Sequence, residues 1–380
     1  MADFTHPGTV SISCPKALND VLQKEVEALG FSPIRVRDTG LDIAATLNDC
    51  IKLNFHLRTA HRVHYLLGEK VCDTPDKLHT WLKSLPWEEW IHTDGYVTVT
   101  SRVDHPRISN TQFANMRVKD AIVDRMRFKT GDRPDSGPGL DKSVVFLYWS
   151  NRIARIYVDT SGESLSRRGY RTETSEAPMQ ESLASGIVQS TIWEPGMHFI
   201  NPMCGSGTIA IEAAMIALNR APASLRNNFG FMHIPGFDEG IYRSIRNDAR
   251  RSAAKEYSGK IIATDNNPAA IRSAQKNAQT AGVDHIIEFE VCDVEDTPLP
   301  EGNGVVVMNP PYGERLGSEE DLIPLYKSLG DFMKQKCSGK TGYIFTGNLN
   351  LAKKIGLRSG RRIEFYNSTI ECRLLEFEIY

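Results

Sequence analysis

The sequence predicts an α/β protein whose C-terminal half is a Rossmann-like parallel sheet and whose N-terminal part is built from small α+β units. Three observations carry this. From about Gly169 onward, apolar stretches of strand length alternate with stretches of helical period. A glycine-rich turn closes the first of those strands, and a helix pattern follows it directly. Before residue 165, short strands and helices mix without that alternation.

In chain order, strand patterns at Val10–Ser13, Ile34–Val36 and Leu41–Ala45 interleave with helical patterns at Leu18–Leu29 and Asn48–Leu57, giving a first unit over 1–65. Lys70–Cys72 reads as a strand, Thr74–Leu85 as a helix, Tyr96–Thr100 as an alternating strand and Asn110–Lys129 as a helix. A Gly/Pro/Asp loop, Gly131–Gly139, and strands at Val144–Trp149 and Arg152–Asp159 complete a second unit over 66–165. The third unit, 166–380, opens with a helix from Pro178 to Gln189. Its strands are His198–Ile200, Lys260–Thr264, Ile286–Val291, Gly304–Met308 and Gly342–Phe345, and Ile363–Tyr366 with Arg373–Ile379 should form an antiparallel hairpin at the sheet edge.

Composition excludes some classes. With 380 residues, 41% hydrophobic and 24% charged, the chain can build two or three cores. A formal charge of -2 gives no global attraction to nucleic acid, so such a partner needs a local basic face. Met1–Pro7 lacks a basic start followed by an apolar run, and no stretch approaches the roughly 18 apolar residues of a membrane span, so a cytoplasmic protein is expected. The 7 cysteines are scattered without Cys-x-x-Cys spacing and read as reduced, buried thiols, so neither a disulfide framework nor a metal is expected. Oligomeric state is not encoded in any pattern of the chain.

The turn Asn201-Pro202-Met203-Cys204-Gly205-Ser206-Gly207-Thr208 leads into a helix at Ile209–Leu218, and its glycines allow close backbone approach to a ligand at the carboxyl edge of the sheet. No Lys follows Gly207, which disfavours a nucleoside triphosphate, and the third glycine of the dinucleotide fingerprint is missing. The next two strands end at Asp265 and Asp293, with Asn266 and Val294 beside them. Either acid alone is more often a cap or a solvated turn, but at successive strand ends they suit ribose hydroxyls and an adenine amine. The long stretch from Gly207 to Asp265 implies an insertion at about Asn219–Ser258, expected to overhang the site.

The fourth strand delivers Asn309-Pro310-Pro311-Tyr312 to the same edge. Prolines stiffen the loop and remove backbone donors, so the Asn309 amide oxygen and the Pro310 carbonyl can accept N–H groups of a ligand. An exocyclic base amine is a poor nucleophile because its lone pair is delocalised. Accepting hydrogen bonds from its hydrogens favours the pyramidal, reactive form, and Tyr312 offers a ring for a flipped base to stack on. A Pro-Pro turn with a core tyrosine is the competing reading. Position after a fourth strand beside a nucleoside pocket favours S-adenosylmethionine-dependent methylation of a base amine.

These residues resemble the THUMP-domain class I methyltransferases, and among them the RlmL/YpsC-type 23S rRNA guanine-N2 methyltransferases. The likeness also rests on Cys14–Leu18, Leu57–Arg62, Leu85-Pro86-Trp87, Arg167–Arg171, Ala177-Pro178 and Gly313–Leu316, and covers nearly the whole chain. It implies a ferredoxin-like unit, a THUMP domain for RNA and a Rossmann-like class I methyltransferase domain with guanine N2 as target. The chain departs from the pattern at Asn201, where an acid usually opens the cofactor motif. It closes with this one methyltransferase domain, so the second enzyme of fused relatives is not expected.

For RNA contact, Arg117, Lys119, Arg125, Arg127, Lys129 and Arg133 cluster on and after one helix, and Arg167, Arg168 and Arg171 flank Tyr170. Interleaved Asp120, Asp124 and Asp132 make an ion-paired solvated face nearly as good a reading of the first cluster, so the second is the stronger expectation. Other Phe and Tyr residues are expected in cores. The residues of the catalytic loop serve adenine N6 or cytosine N4 in DNA, or a guanine in tRNA, equally well, and only the resemblance argues for 23S rRNA. An inactive RNA-binding or assembly factor is the reading that Asn201 invites.

Overall fold

The computed structural model describes residues 1–106, 108, 110–172, 179–312 and 319–379. Ala177-Pro178, the expected helix start at Pro178 and Gly313–Leu316 lie outside them. The chain divides into two compact units. One comprises Met1–Cys14, Leu22–Leu165 and Arg226–Asp248, and the other Pro15–Val21, Ser166–Leu225 and Ala249–Tyr380.

In the first unit, β1 (Gly8–Ser13), α1 (Asn19–Ala28), β2 (Pro33–Arg37), β3 (Gly40–Ala45), α2 (Leu47–His56) and β4 (Arg62–Val71) run in the order β2-β3-β1-β4 with every pair antiparallel. This is a ferredoxin-like βαββαβ arrangement. Thr46 and Asp49 form a reciprocal capping box that fixes the start of α2. The same sheet continues through α3 (Pro75–Ser84), β5 (Tyr96–Asp104), α4 (Thr111–Thr130), β6 (Asp135–Ser136), β7 (Ser143–Ser150) and β8 (Ile153–Asp159), in the order β4-β8-β7-β5-β6.

The strand expected at Lys70–Cys72 therefore begins at Arg62, and the division expected at residue 65 falls inside it. Arg62–Tyr65 pair with β1, while His64–Val71 pair with β8. Polar Arg62 and His64 disguise the strand in sequence, because both face Asp159, which is 0% exposed. Arg62 Nη1 lies 2.5 Å from Asp159 Oδ2 and His64 Nε2 lies 3.5 Å from it, and Oδ1 accepts from the backbone N–H of Ser161 at 2.8 Å and Gly162 at 3.2 Å. Burial alone would raise the Asp159 pKa, but His64 and Arg62 outweigh it and hold the carboxyl below its usual range. Trp87 of the Leu-Pro-Trp run is fully buried and donates its indole N–H to Leu82 O at 2.7 Å.

The insertion expected between the glycine turn and Asp265 is divided between the two units. Residues 226–248 belong to the first unit, where Phe229 stacks on Phe231 at 4.9 Å and Tyr242 meets Phe55 edge-on at 6.2 Å. Burial of these rings holds the segment in the core of the first unit.

The second unit holds a seven-stranded sheet in the order β11-β10-β9-β12-β13-β15-β14. Its strands are β9 (His198–Pro202), β10 (Ile261–Asp265), β11 (Ile287–Val291), β12 (Gly304–Met308), β13 (Thr341–Thr346), β14 (Arg362–Asn367) and β15 (Ile370–Glu378). β9 through β13 are parallel, and β15 runs antiparallel between β13 and the edge strand β14. The helices are α5 (Glu181–Ser190), α6 (Thr208–Ala217), α7 (Glu239–Ser252), whose first part lies in the other unit, α8 (Pro268–Ala281), α9 (Glu319–Lys336) and α10 (Leu349–Ala352). All five residues of β12 are buried, as a central strand covered on both faces requires. Strand order reverses between β9 and β12, so their carboxyl ends open at the topological switch point. Among the described residues, no helix is long and apolar enough to cross a membrane.

Candidate active site

The turn after β9 is built on left-handed backbone. Met203 (φ 56°), Gly205 (φ 54°) and Gly207 (φ 81°) all have positive φ, and for Met203 this costs on the order of 1 kcal/mol. The turn is tied to β10: Cys204 N–H donates to Thr264 O at 2.9 Å and Gly205 N–H to Asp265 Oδ2 at 2.9 Å. A Cβ on Gly207 would sit 2.9 Å from Ala274 Cβ, so this glycine lets α6 and α8 approach and does the packing job of the missing third glycine. Ser206 and Thr208 are buried behind the turn.

Asn201, 1% exposed, donates from Nδ2 to Val307 O at 2.7 Å, a bond that an ionised Asp could not make. Its Oδ1 is buried and has no hydrogen-bond partner among the described residues.

A cavity of about 220 Å³ opens beside the turn, and Met203, Asp265, Asn266, Asp293 and Val294, all expected from the sequence, line it. Cys292, Glu295, Leu325 and Ser328 complete its wall. Asn201 and the run Cys204 to Thr208 are not among its lining residues; they shape and back the turn. Asp265 Oδ1 accepts from Asn267 N–H at 3.0 Å and Oδ2 from Gly205 N–H, which leaves two of its roughly four lone-pair sites for a diol. Asp293 Oδ1 accepts from Asn266 Nδ2 at 3.0 Å. Burial, and then the Asp265 charge, push the Cys204 thiol well up, so it is neutral and not a nucleophile.

At the end of β12, Asn309 Oδ1 is a second buried oxygen without a hydrogen-bond partner among the described residues. The Pro311 carbonyl is occupied, accepting from Tyr326 OH at 3.2 Å, and that hydroxyl lies 2.8 Å from Thr346 Oγ1. Tyr312 is half-buried, meets Phe345 edge-on at 6.1 Å, and its hydroxyl accepts from Asn367 Nδ2 at 2.9 Å. Burial, and then Cys372, raise its pKa far above the ordinary phenol value.

Of the basic cluster that was the stronger expectation for RNA, Arg168 and Arg171 lie largely inside the fold. Arg168 is 1% exposed and its Nε lies 3.5 Å from Glu212 Oε1 on α6, to which Tyr170 OH also donates at 3.2 Å. Arg171 donates from Nη2 to Met179 O at 2.6 Å and Thr208 Oγ1 at 3.2 Å, and lies 3.7 Å from Glu181. Both side chains brace the start of α6 instead of facing solvent, because a buried carboxylate needs a partner more than a solvated arginine needs a phosphate. Arg167 is exposed. On α4, Arg117 pairs with Asp76 and Arg125 holds Glu88 with two bonds of 2.6 and 3.1 Å. Lys119 is half-buried, whereas Arg127, Lys129 and Arg133 are exposed. Phe128, expected in a core, is 79% exposed with Lys129 Nζ 5.8 Å from its ring centre.

Sequence reasoning missed Leu325 and Ser328, which reach the cavity from α9, and Asn367, Gly347 and Cys372 around Tyr312. The glycine directly after β13 was a visible signal, whereas pairing across the hairpin was not. Lys16 also gains an explanation. Its Nζ donates to Tyr366 OH at 2.9 Å and sits 4.1 Å from the ring centre, joining the Cys14–Leu18 run to the residue beside Asn367.

Comparison with known proteins agrees with this geometry. Residues 168–376 match the RMKL-like methyltransferase domain, 9–64 the RlmL ferredoxin-like domain and 72–137 the THUMP domain. The chain is 36% identical over 377 residues to ribosomal RNA large subunit methyltransferase K/L of Syntrophotalea carbinolica, covering 97% of this chain and 53% of that one. It thus spans about half the length of the curated relatives it matches. Among solved structures, SMU.472 complexed with SAH has a TM-score of 0.90 at 27% identity, covering 98% of both chains. A possible methylase from Clostridium difficile 630 has a TM-score of 0.89 at 30% identity, covering 99% of both. The cavity with Asp265 and Asp293 on its wall, together with the buried Asn201 oxygen, which has no partner among the described residues, fits the chemistry of S-adenosylmethionine. The chain belongs to the RMKL-like methyltransferase family.

Proposed function

We propose that this protein transfers a methyl group from S-adenosylmethionine to the exocyclic N2 of a guanine in structured RNA, with 23S rRNA as the substrate, in the cytoplasm. The observation that carries the reading is the buried Asn309 oxygen, unpartnered among the described residues, at the carboxyl end of β12. An open acceptor in a loop stiffened by two prolines, at the carboxyl edge of the parallel sheet, is available to a donor from outside. RNA as the partner rests on the THUMP match and on relatives named ribosomal RNA large subunit methyltransferase K/L.

In this reading Asp265 accepts the ribose hydroxyls, Asp293 and Val294 hold the adenine end, and Asn201 Oδ1 accepts from the ammonium at the methionine end. When bound, the cofactor supplies a methyl group already activated on a sulfonium. Asn309 accepts an N–H of the guanine amine and so concentrates its lone pair towards the methyl group. Tyr312 offers its ring to the base, and the proton lost from nitrogen passes to solvent without a dedicated base. We assign 1–65 as the ferredoxin-like unit, 66–165 as the RNA-binding THUMP domain and 166–380, apart from the segment 226–248 that packs in the first unit, as the methyltransferase domain. Arg127, Phe128, Lys129 and Arg133, at and beyond the C-terminal end of α4, are the phosphate- and base-contacting candidates.

Nucleoside mass spectrometry of RNA and DNA from a strain lacking the protein tests the reading. A loss of N2-methylguanosine from 23S rRNA is expected. Its retention, with loss of a methylated adenine or cytosine from DNA, would refute the proposal.

A further inference from the structure

Tyr312 is held more elaborately than a stacking ring requires. Its hydroxyl accepts from Asn367 Nδ2 at 2.9 Å, with Cys372 Sγ at 3.8 Å. Both partners come from the hairpin of β14 and β15, whose turn closes on the pair Asn367 and Ile370 with Ser368 at φ 59°. Gly347, just past β13, abuts the Cδ2–Cε2 side of the ring. A Cβ there would fall 2.8 Å from Tyr312 Cδ2, 2.9 Å from Cε2 and 2.9 Å from Ile370 Cγ2. The ring is thus pinned at its hydroxyl, and its Cδ2–Cε2 side packs against backbone that has no side chain. Phe345 meets the ring edge-on, at an interplanar angle of 73°.

We propose that Asn367 is a positioning residue for methyl transfer, which fixes the Tyr312 ring on its Gly347 seat in the orientation that receives the target base. The assignment rests on the proposed function for the identity of that base. Asn367 itself touches neither base nor cofactor; it acts through the phenol. Losing the bond frees the ring to turn about its side-chain torsions, and the base then samples poses from which the amine no longer meets the methyl group. Near-attack alignment is where small displacements are costly in rate.

The test is a double-mutant cycle on full-length protein, with kcat and KM measured for RNA transcript and cofactor, and the methylated nucleoside identified. Asn367→Ala and Tyr312→Phe remove the same bond from opposite sides. Each is expected to lower kcat/KM for RNA about tenfold, with cofactor affinity unchanged. The double variant should be no worse than either single. Asn367→Ser, which keeps a donor hydroxyl, should recover part of the loss, and Gly347→Ala should lower kcat/KM in the presence of an intact Asn367. Losses that multiply in the double variant, or an unchanged kcat/KM in Asn367→Ala, would overturn the assignment. Wild-type transfer to an amine other than guanine N2 would overturn the proposed substrate while leaving the cycle readable, and no transfer by wild type would overturn both.

Discussion

Asp159 ends β8 and Asp265 ends β10, and each accepts hydrogen bonds from the backbone of the loop beside it. Around Asp159 the chain supplies everything else as well: Arg62 and His64 reach the second oxygen, and no part of the residue meets solvent. Asp265 is only half-buried and borders a cavity of about 220 Å³, with lone pairs left over. The first carboxylate is closed by its own chain and is architecture. The second is left open, and the buried oxygens of Asn201 and Asn309 at neighbouring strand ends share that condition among the described residues. A strand-end acid becomes a site when the fold declines to saturate it.

The comparison is most forcefully broken at Asp159. Asp159→Asn should lower stability by about 3–5 kcal/mol at neutral pH, because it leaves Arg62 without its buried partner. Since the folded pKa lies below the unfolded value of about 3.9, this contribution is complete above that value and disappears as pH falls through the folded pKa. Urea denaturation from pH 7 down to pH 2 should therefore show wild type and variant converging in acid. A constant difference would assign Asp159 some other role.

At the open edge the prediction reverses, with activity lost and stability kept. Asn309→Ala should reduce kcat by about a hundred- to a thousandfold, in line with removal of one preorganised hydrogen-bonding group, while calorimetry finds cofactor affinity unchanged. Asp265→Ala should instead weaken cofactor binding by about thirty- to a hundredfold, with kcat at saturating cofactor falling much less. The smallest effect is expected at the surface. Lys129→Ala should weaken RNA binding a few-fold and reduce the slope of log K against log salt by about 0.7–0.9, the signature of one lost phosphate contact. Arg168→Ala should leave that slope unchanged and lower the melting temperature, since its guanidinium is committed to Glu212.

Most of the second sheet was legible because a central strand such as Gly304–Met308 advertises itself as an unbroken apolar run, and because Gly207 and Asp265 are local signals at strand ends. The cavity wall contributed by Met203, Asp265, Asn266, Asp293 and Val294 was legible for the same reason. What failed depended on distant partners. Arg168 and Arg171 look like surface charge until Glu212 and Glu181, 44 and 10 residues away, are brought beside them. The strand Arg62–Val71 hid because its polar residues serve Asp159, nearly a hundred residues on. Asn367 was unreadable because its partner Tyr312 lies 55 residues upstream.

The most direct measurement incubates purified wild-type and Asn309→Ala protein with tritiated S-adenosylmethionine and unmodified 23S rRNA, and digests the RNA to nucleosides. The expected result is label in N2-methylguanosine for wild type and almost none for a variant that still binds cofactor. Wild-type label in a different nucleoside, or undiminished transfer by Asn309→Ala, would contradict the assignment of the open oxygen to a guanine amine.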